Sequence, residues 1–312
     1  MFRMGCLIRK WPKLKHSWLE CSSRSQSSDL SYAAILIGLS VMSYILLGFF
    51  GCFAGVTTVL FGFGGGFVIV PVLYRVLLAM HGADDMIAQS AMHIAVATST
   101  CVMIVNASIS TRKHARSGTL LMPYLWPLAG YIGLGAIAGA ITAELFDSEM
   151  LRMAFVIYLA ITIVDCLFRR GFIEQIANNQ PKGLSKLATI PGGMSIGAIA
   201  TVLGVGGSVM TVPLLRRCGL SMTQATSMAN PLSLPVALAG TVTYILVAEV
   251  GGYDFGAGYL GYVDLLAFAI LTLGAVFGIR LATPLIGKTP DRIHAIVYIS
   301  LLVLVLLSMV FK

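Results

Sequence analysis

The string Gly62-Phe63-Gly64-Gly65-Gly66-Phe67-Val68-Ile69-Val70-Pro71-Val72-Leu73 returns 142 positions later as Gly204-Val205-Gly206-Gly207-Ser208-Val209-Met210-Thr211-Val212-Pro213-Leu214-Leu215, with no gap between the copies. Each glycine cluster interrupts an apolar run and marks a place where a helix is expected to break. A duplicated break in a membrane protein points to a transporter whose site lies between two related halves.

The surrounding composition is that of an integral membrane protein. Hydrophobic residues make up 57% of the chain and charged residues 11%, against roughly a quarter charged in an ordinary soluble domain. Residues 33–61 and 119–143 carry no Asp, Glu, Lys or Arg, and runs of that length cross a ~30 Å hydrocarbon layer as helix. A soluble enzyme is a poor fit to so continuous an apolar sequence. The net charge is +8, and half of the excess lies in residues 1–30, where Arg3, Arg9, Lys10, Lys13, Lys15 and Arg24 face only Glu20 and Asp29. That tail reads as a disordered cytoplasmic extension. The alternative is contact with anionic lipid, with Trp11 and Trp18 at the interface. No apolar core precedes Ala33, so the first span reads as an uncleaved anchor. The six cysteines are scattered without a CxxC or Cys/His spacing, and neither a metal nor another cofactor is expected.

Seven long apolar segments stand out, at residues 33–50, 86–109, 119–143, 150–168, 222–248, 262–286 and 293–311. Between them lie two interrupted pieces, 51–80 and 188–215. Short-loop charge sets the orientation. Arg112, Lys113 and Arg116 in the connection 110–118, Arg169 and Arg170, Arg216 and Arg217, and Lys288 with Arg292 are expected to be cytoplasmic. Asp84 and Asp85, then Glu144, Asp147 and Glu149, and finally Glu249 and Asp254 are expected outside. One topology satisfies nearly every connection. Each interrupted piece enters the membrane and returns as a re-entrant hairpin, followed by three helices, and the second half runs opposite to the first. The expected architecture is an all-α polytopic membrane protein of two inverted repeats with one extra N-terminal helix at 33–50. The corresponding divisions are a basic tail at 1–32, a first half at 33–168, a cytoplasmic linker at 169–187 and a second half at 188–312.

Non-helical backbone at membrane depth is tolerated where it is buried in protein or lines a water-filled cavity. The candidate substrate-binding groups are therefore Gly62, Gly64, Gly65, Gly66, Gly204, Gly206 and Gly207, with the Ser208 hydroxyl on the second tip. A helix starting after each tip presents free N–H groups and a positive dipole end to an anion. The helices that follow are polar at mid-span. The first contributes Ser90, Thr98 and Ser99, and the second Thr226, Ser227 and Asn230, as neutral donors for an oxyanion, while His93 is a candidate to bind substrate or relay a proton, with a buried, neutral, hydrogen-bonded histidine as the alternative. The bland alternative for each hydroxyl is an interhelical hydrogen bond worth ~0.6–2 kcal/mol. Val70-Pro71 and Val212-Pro213 are expected to end or kink the short helices. Asp165 is expected to pair with Arg169 one turn on. The glycine clusters are not nucleotide motifs, since neither G-x-G-x-x-G nor a P-loop Gly-Lys-Ser/Thr is present.

The repeated Gly-x-Gly-Gly-Gly/Ser-x-x-x-x-Pro, with the small-residue stretches Gly135–Gly139 and Gly274–Gly278, resembles the sulfite exporter TauE/SafE family, also called the toluene-sulfonate uptake permease family. The resemblance covers roughly residues 35–310. It implies a secondary transporter of the bacterial inner membrane that carries a sulfur-containing anion such as sulfite or an organosulfonate. The second copy differs in having Ser208 where the first has Gly66. The expected partners are a small anionic substrate and membrane lipid, without nucleic acid, and a homo-oligomer is left open. The alternatives are a carrier of another small anion or a metal-linked substrate, and a non-transporting membrane enzyme or assembly component.

Overall fold

The computed structural model describes residues 42–82, 84–126, 128–168 and 186–311. The basic tail and nearly all of the 169–187 linker lie outside them. The first helix, α1, covers Met42–Phe61. Its first turn, Met42–Ile45, belongs to the N-terminal unit, and everything from Leu46 on belongs to the helical body. The helix runs unbroken through Phe50 and Gly51, where the sequence reading ends a separate leading helix. The reason is physical: Gly51 packs on the backbone of Leu271, so this glycine serves a close helix crossing rather than a break.

The remaining helices are α2 (Gly66–Met80), α3 (Met86–Gln89), α4 (Ala91–Arg116), α5 (Met122–Leu125), α6 (Leu128–Ala143), α7 (Ser148–Phe168), α8 (Lys186–Leu203), α9 (Ser208–Arg217), α10 (Met222–Gly251), α11 (Leu265–Ala282) and α12 (Asp291–Val310). Among the described residues, seven stretches are long and apolar enough to cross a membrane: α1, α4, the α5–α6 stretch, α7, α10, α11 with the turn that follows it, and α12. Two differences from the sequence reading concern boundaries. The basic residues Arg112, Lys113 and Arg116 sit on the last turns of α4, where cations complement the carbonyl end of the helix, and not in a loop. Pro71 and Pro213 lie inside α2 and α9, each at the sixth position, and both helices continue past them. A small departure from the all-α expectation is a two-residue antiparallel ladder, β1 (Tyr259–Leu260) with β2 (Val263–Asp264).

Local chemistry fixes several ends. Ser221 and Gln224 form a reciprocal capping box at the start of α10, and Gly252 closes it with φ 71°. Asp264 accepts from Leu266 N and Ala267 N at the start of α11. The centre of the body is the pair α4 and α10, which pack along each other, with Met92, Ile94, Val96 and Leu232 fully enclosed. The outer helices keep apolar side chains exposed, among them Ile161 (64%), Leu273 (73%) and Leu304 (58%). Such surface belongs against lipid rather than water.

Two helix pairs approach more closely than Leu-lined helices can. Gly135 and Gly139 of α6 lie on the backbone of α8 at Met194 and Ala198, and Gly197 of α8 returns the contact at Ile132. Gly274 and Gly278 of α11 lie on α1 at Gly48 and Cys52, while Gly51 and Gly55 lie on Leu271 and Ala275. A Cβ at any of these positions would strike backbone. Each penultimate long helix thus packs on the helix that leads into the other copy of the glycine motif.

Candidate functional site

The two glycine motifs meet. α1 stops at Phe61, α2 starts at Gly66, and residues 62–65 form the turn between them. α8 stops at Leu203, α9 starts at Ser208, and residues 204–207 form the second turn. The matched glycines share a conformation: φ is 75° at Gly62 and 66° at Gly204, and 65° at Gly64 and 64° at Gly206. These left-handed values favour glycine, so the repeated sequence encodes a repeated turn. The copies diverge afterwards, with φ 95° at Gly65 and −67° at Gly207.

Both turns are buried throughout. A Cβ on Gly66 would collide with the Gly204 carbonyl oxygen, which explains why the first copy has glycine where the second has Ser208. Gly64 and Gly206 both face the Met103 sulfur, at 2.7 and 2.6 Å from where their Cβ atoms would stand, and both face Ser233. Met103 of α4 and Ser233 of α10 therefore sit between the two tips. Gly65 faces the Asn106 Nδ2 at 2.6 Å by the same measure, and Gly62 faces Thr226 O and Ala229. Ser99 Oγ donates to Gly204 O at 3.0 Å.

Polar capacity is left over here. Asn106 is fully buried, and neither its amide oxygen nor its nitrogen has a partner among the described residues. Ser208 is also fully buried, with an unpartnered hydroxyl. Asn230 donates from Nδ2 to Thr58 O at 3.2 Å, while its Oδ1 is buried without a partner. A buried polar group left unsatisfied costs ~1–3 kcal/mol, and such groups call for a water, an ion or a substrate. The first-turn N–H groups of α2 and α9 add donors. Val68 N and Ile69 N bond Gly65 O, and Met210 N and Thr211 N bond Gly207 O. This leaves Gly66, Phe67, Ser208 and Val209 N–H without an intrahelical acceptor.

Other predicted residues lie elsewhere. Ser90 stands at the N-cap position of α4 without a side-chain capping bond. His93 contacts Ala143 O at 3.3 Å through Nε2 and stacks on Tyr262. Thr98 Oγ1 accepts from Asp264 N at 3.0 Å. Counted at 1.5 Å per residue, His93 is about 15 Å along α4 from Met103. Thr226 Oγ1 donates back to Met222 O at 3.0 Å, and its backbone carbonyl, not its hydroxyl, faces Gly62. Ser227 Oγ lies 3.0 Å from His114 Nδ1. Asp165 pairs with Arg217 at 2.8 Å, whereas Arg169 lies outside the described residues. Met103 and Thr58 are not legible as site residues in the sequence, whereas Asn106 belongs to the polar mid-span of its helix without being one of the named binding groups. Asn106 carried a signal, as an amide in the middle of an apolar span, but a methionine in an apolar helix carries none.

No group of three or more His, Cys, Asp or Glu among the described residues is placed to hold a metal. A cavity of about 440 Å³ among α7, α8 and α9 reaches Val209 and Met210 in the first turn of α9, with the Asp165–Arg217 pair on its wall. Two glycine turns meeting inside a body of apolar spans belong to a polytopic α-helical membrane protein.

The chain belongs to the sulfite exporter TauE/SafE family, whose model matches residues 47–309. It is similar to a "Probable membrane transporter protein" of Haemophilus influenzae, 27% identical over 77% of this chain and 88% of that one. A protein of the same description in Methanocaldococcus jannaschii is 25% identical over 70% of this chain and 79% of its own length. The Bacillus subtilis "Probable membrane transporter protein YunE" is 25% identical over 86% and 96%. No solved structure matches the chain. The protein is thus an integral membrane protein of a transporter family.

Proposed function

We propose that the protein is a secondary transporter of a small sulfur-containing oxyanion, sulfite or an organosulfonate, which binds between the two glycine tips. The observation that carries this reading is the convergence of both tips on Met103 and Ser233 beside the unpartnered Asn106 and Ser208. The donors there are neutral amides, a hydroxyl and backbone N–H groups at two helix starts. Such a set holds an anion without a salt bridge, and the dipole ends add a positive potential. The family description supplies the substrate class.

In this reading each glycine turn is the tip of a re-entrant hairpin, α1 with α2 and α8 with α9, and the two halves are inverted. The reciprocal packing of α6 on α8 and α11 on α1 supports it. Depth supports it too. Met103 and Asn106 lie about 15–20 Å along α4 from Arg116, near the middle of a ~30 Å layer. Alternating access follows as a rocking of the halves that parts the tips toward one side at a time. The tips are sealed from solvent in the present conformation, which corresponds to an occluded state.

A thermal-shift panel on the purified full chain tests the site. Sulfite and small sulfonates are expected to raise the unfolding temperature more than chloride, phosphate or sulfate at equal concentration, and Asn106→Leu is expected to erase that difference. Equal shifts for all anions would remove the substrate assignment.

A further inference from the structure

Two buried histidines grip the end of the helix that leads into the first glycine tip. His114 of α4 contacts Val59 O through Nε2 at 2.9 Å, and His294 of α12 contacts Leu60 O through Nε2 at 2.8 Å. His114 is 2% exposed and His294 5%. A carbonyl oxygen only accepts, so both Nε2 atoms carry hydrogen. The rings differ at the other nitrogen. His294 Nδ1 is buried without a partner among the described residues, as suits a neutral imidazole. His114 Nδ1 instead faces two hydroxyl oxygens, Ser227 Oγ at 3.0 Å and Thr119 Oγ1 at 3.1 Å. Each hydroxyl already has a carbonyl for its own hydrogen: Ser227 donates to Thr223 O at 2.6 Å, and Thr119 to His114 O at 3.2 Å.

Every neighbour of His114 is thus an acceptor when the hydroxyls keep their carbonyls. A neutral ring with hydrogen on Nε2 leaves Nδ1 a bare lone pair against two oxygens, unless a hydroxyl abandons its carbonyl. An imidazolium satisfies all of them, Nε2–H to Val59 O and Nδ1–H to Ser227 and Thr119. The carbonyl end of α1, which carries the negative pole of the helix, also favours a cation there. The titratable group facing His114 across the interface is His294. Behind it stand Asp291 of α12 and Arg216 of α9, paired at 2.8 Å. A proton on His294 is favoured by Asp291 and opposed by Arg216 and by a charged His114, so the two rings load one after the other rather than together.

We infer that His114 is a proton-binding site of the carrier, loaded through Thr119 and wired to the first glycine tip through the end of α1. This rests on the transport reading above and supplies its coupling ion. Thr119 is half-buried at the exposed end of α4, beside the exposed Ser117 and Gly118, so it connects the ring to water. The proton arrives there and adds to the Nδ1 lone pair. No bond other than N–H is made, and the same bond breaks on release. Because Val59 O lies three residues before Gly62, the way His114 holds α1 sets the position of the tip.

Two readouts decide this. In the full chain in nanodiscs with ¹⁵N-labelled histidine, the ring signal lost in His114→Gln is expected to change from neutral to imidazolium as the pH is lowered, and to do so before the signal lost in His294→Gln. In proteoliposomes, the ratio of sulfite accumulation driven by a pH gradient to sulfite–sulfite exchange is expected to fall at least tenfold in His114→Gln, whose side-chain amide can still donate to Val59 O. A His114 ring that stays neutral down to pH 4.5 overturns the site, and an unchanged ratio overturns the coupling. Wild-type protein that moves no sulfite in either mode would instead sink the substrate reading, and the ring titration would still judge the proton site.

Discussion

At the scale of single residues, the copies of the glycine motif differ where their surroundings differ. Gly66 has the Gly204 carbonyl against the place of a Cβ, while Gly207 meets the Ile196 side chain at 3.1 Å, with backbone no nearer than Leu232 O at 3.9 Å, and has an ordinary helical φ. Gly66→Ala is therefore expected to cost about 1–3 kcal/mol from overpacking. Gly207→Ala is expected to cost clearly less, because a side chain yields where backbone does not. Thermal unfolding in detergent compares them, and equal losses would contradict the tip contact. The glycines were legible in the sequence because positive φ leaves a residue-type signature and the duplication repeats it. His114 and His294 were not. A histidine that caps a carbonyl of another helix shows no spacing rule, and its partner is 55 or 234 residues away. Ser227 was singled out as a substrate donor, yet its hydroxyl turns to His114 and Thr223, a choice that only packing decides.

Helices and their ends follow local chemistry more closely. The capping box at Ser221 and the basic last turn of α4 are written in the sequence, and the long apolar segments match the observed helices to within a turn or two at most ends. The boundary at residue 50 could not be read, because residues 33–61 carry no charge to mark an end and Gly51 looks the same in a break as in a crossing. Asp264 gives an element-level test. Burial at the start of α11 holds its carboxyl above the usual carboxylate range, with the Ala267 and Leu266 N–H groups opposing. A raised carboxyl means that the folded state binds the proton more readily than the unfolded chain. Its contribution is most favourable below the ordinary carboxylate value and is lost as pH rises through the folded one. Asp264→Asn keeps an oxygen for the two N–H donors without the charge. The unfolding temperature of the variant minus that of the native chain is expected to be more positive at pH 7 than at pH 4. A difference of the opposite sign would contradict a buried, destabilised carboxylate.

For the whole molecule, the duplicated break and the uneven charge point to two related halves, which is the arrangement proposed above. The exchange of partners, α6 onto α8 and α11 onto α1, was hidden. Gly-x-x-x-Gly announces a close crossing without naming the helix that is crossed. Inversion of the halves predicts sidedness. With single cysteines at residues 85, 117, 147 and 249, in place of Asp85, Ser117, Asp147 and Glu249, an impermeant thiol reagent is expected to reach only position 117 from the cytoplasm. Ser117 is the suitable probe because it is exposed, whereas Ser110 is fully buried. Position 117 labelled from outside would contradict the inverted arrangement.

The central claim is that the tips form the binding site of an oxyanion carrier, and flux tests it most directly. Proteoliposomes holding the full chain are loaded with unlabelled sulfite or a small sulfonate and diluted into the ³⁵S-labelled anion. The account predicts protein-dependent counterflow for at least one of these anions, reduced at least tenfold by Asn106→Leu with Ser208→Ala. Entry no faster than into protein-free vesicles, for every sulfur oxyanion offered, would contradict it.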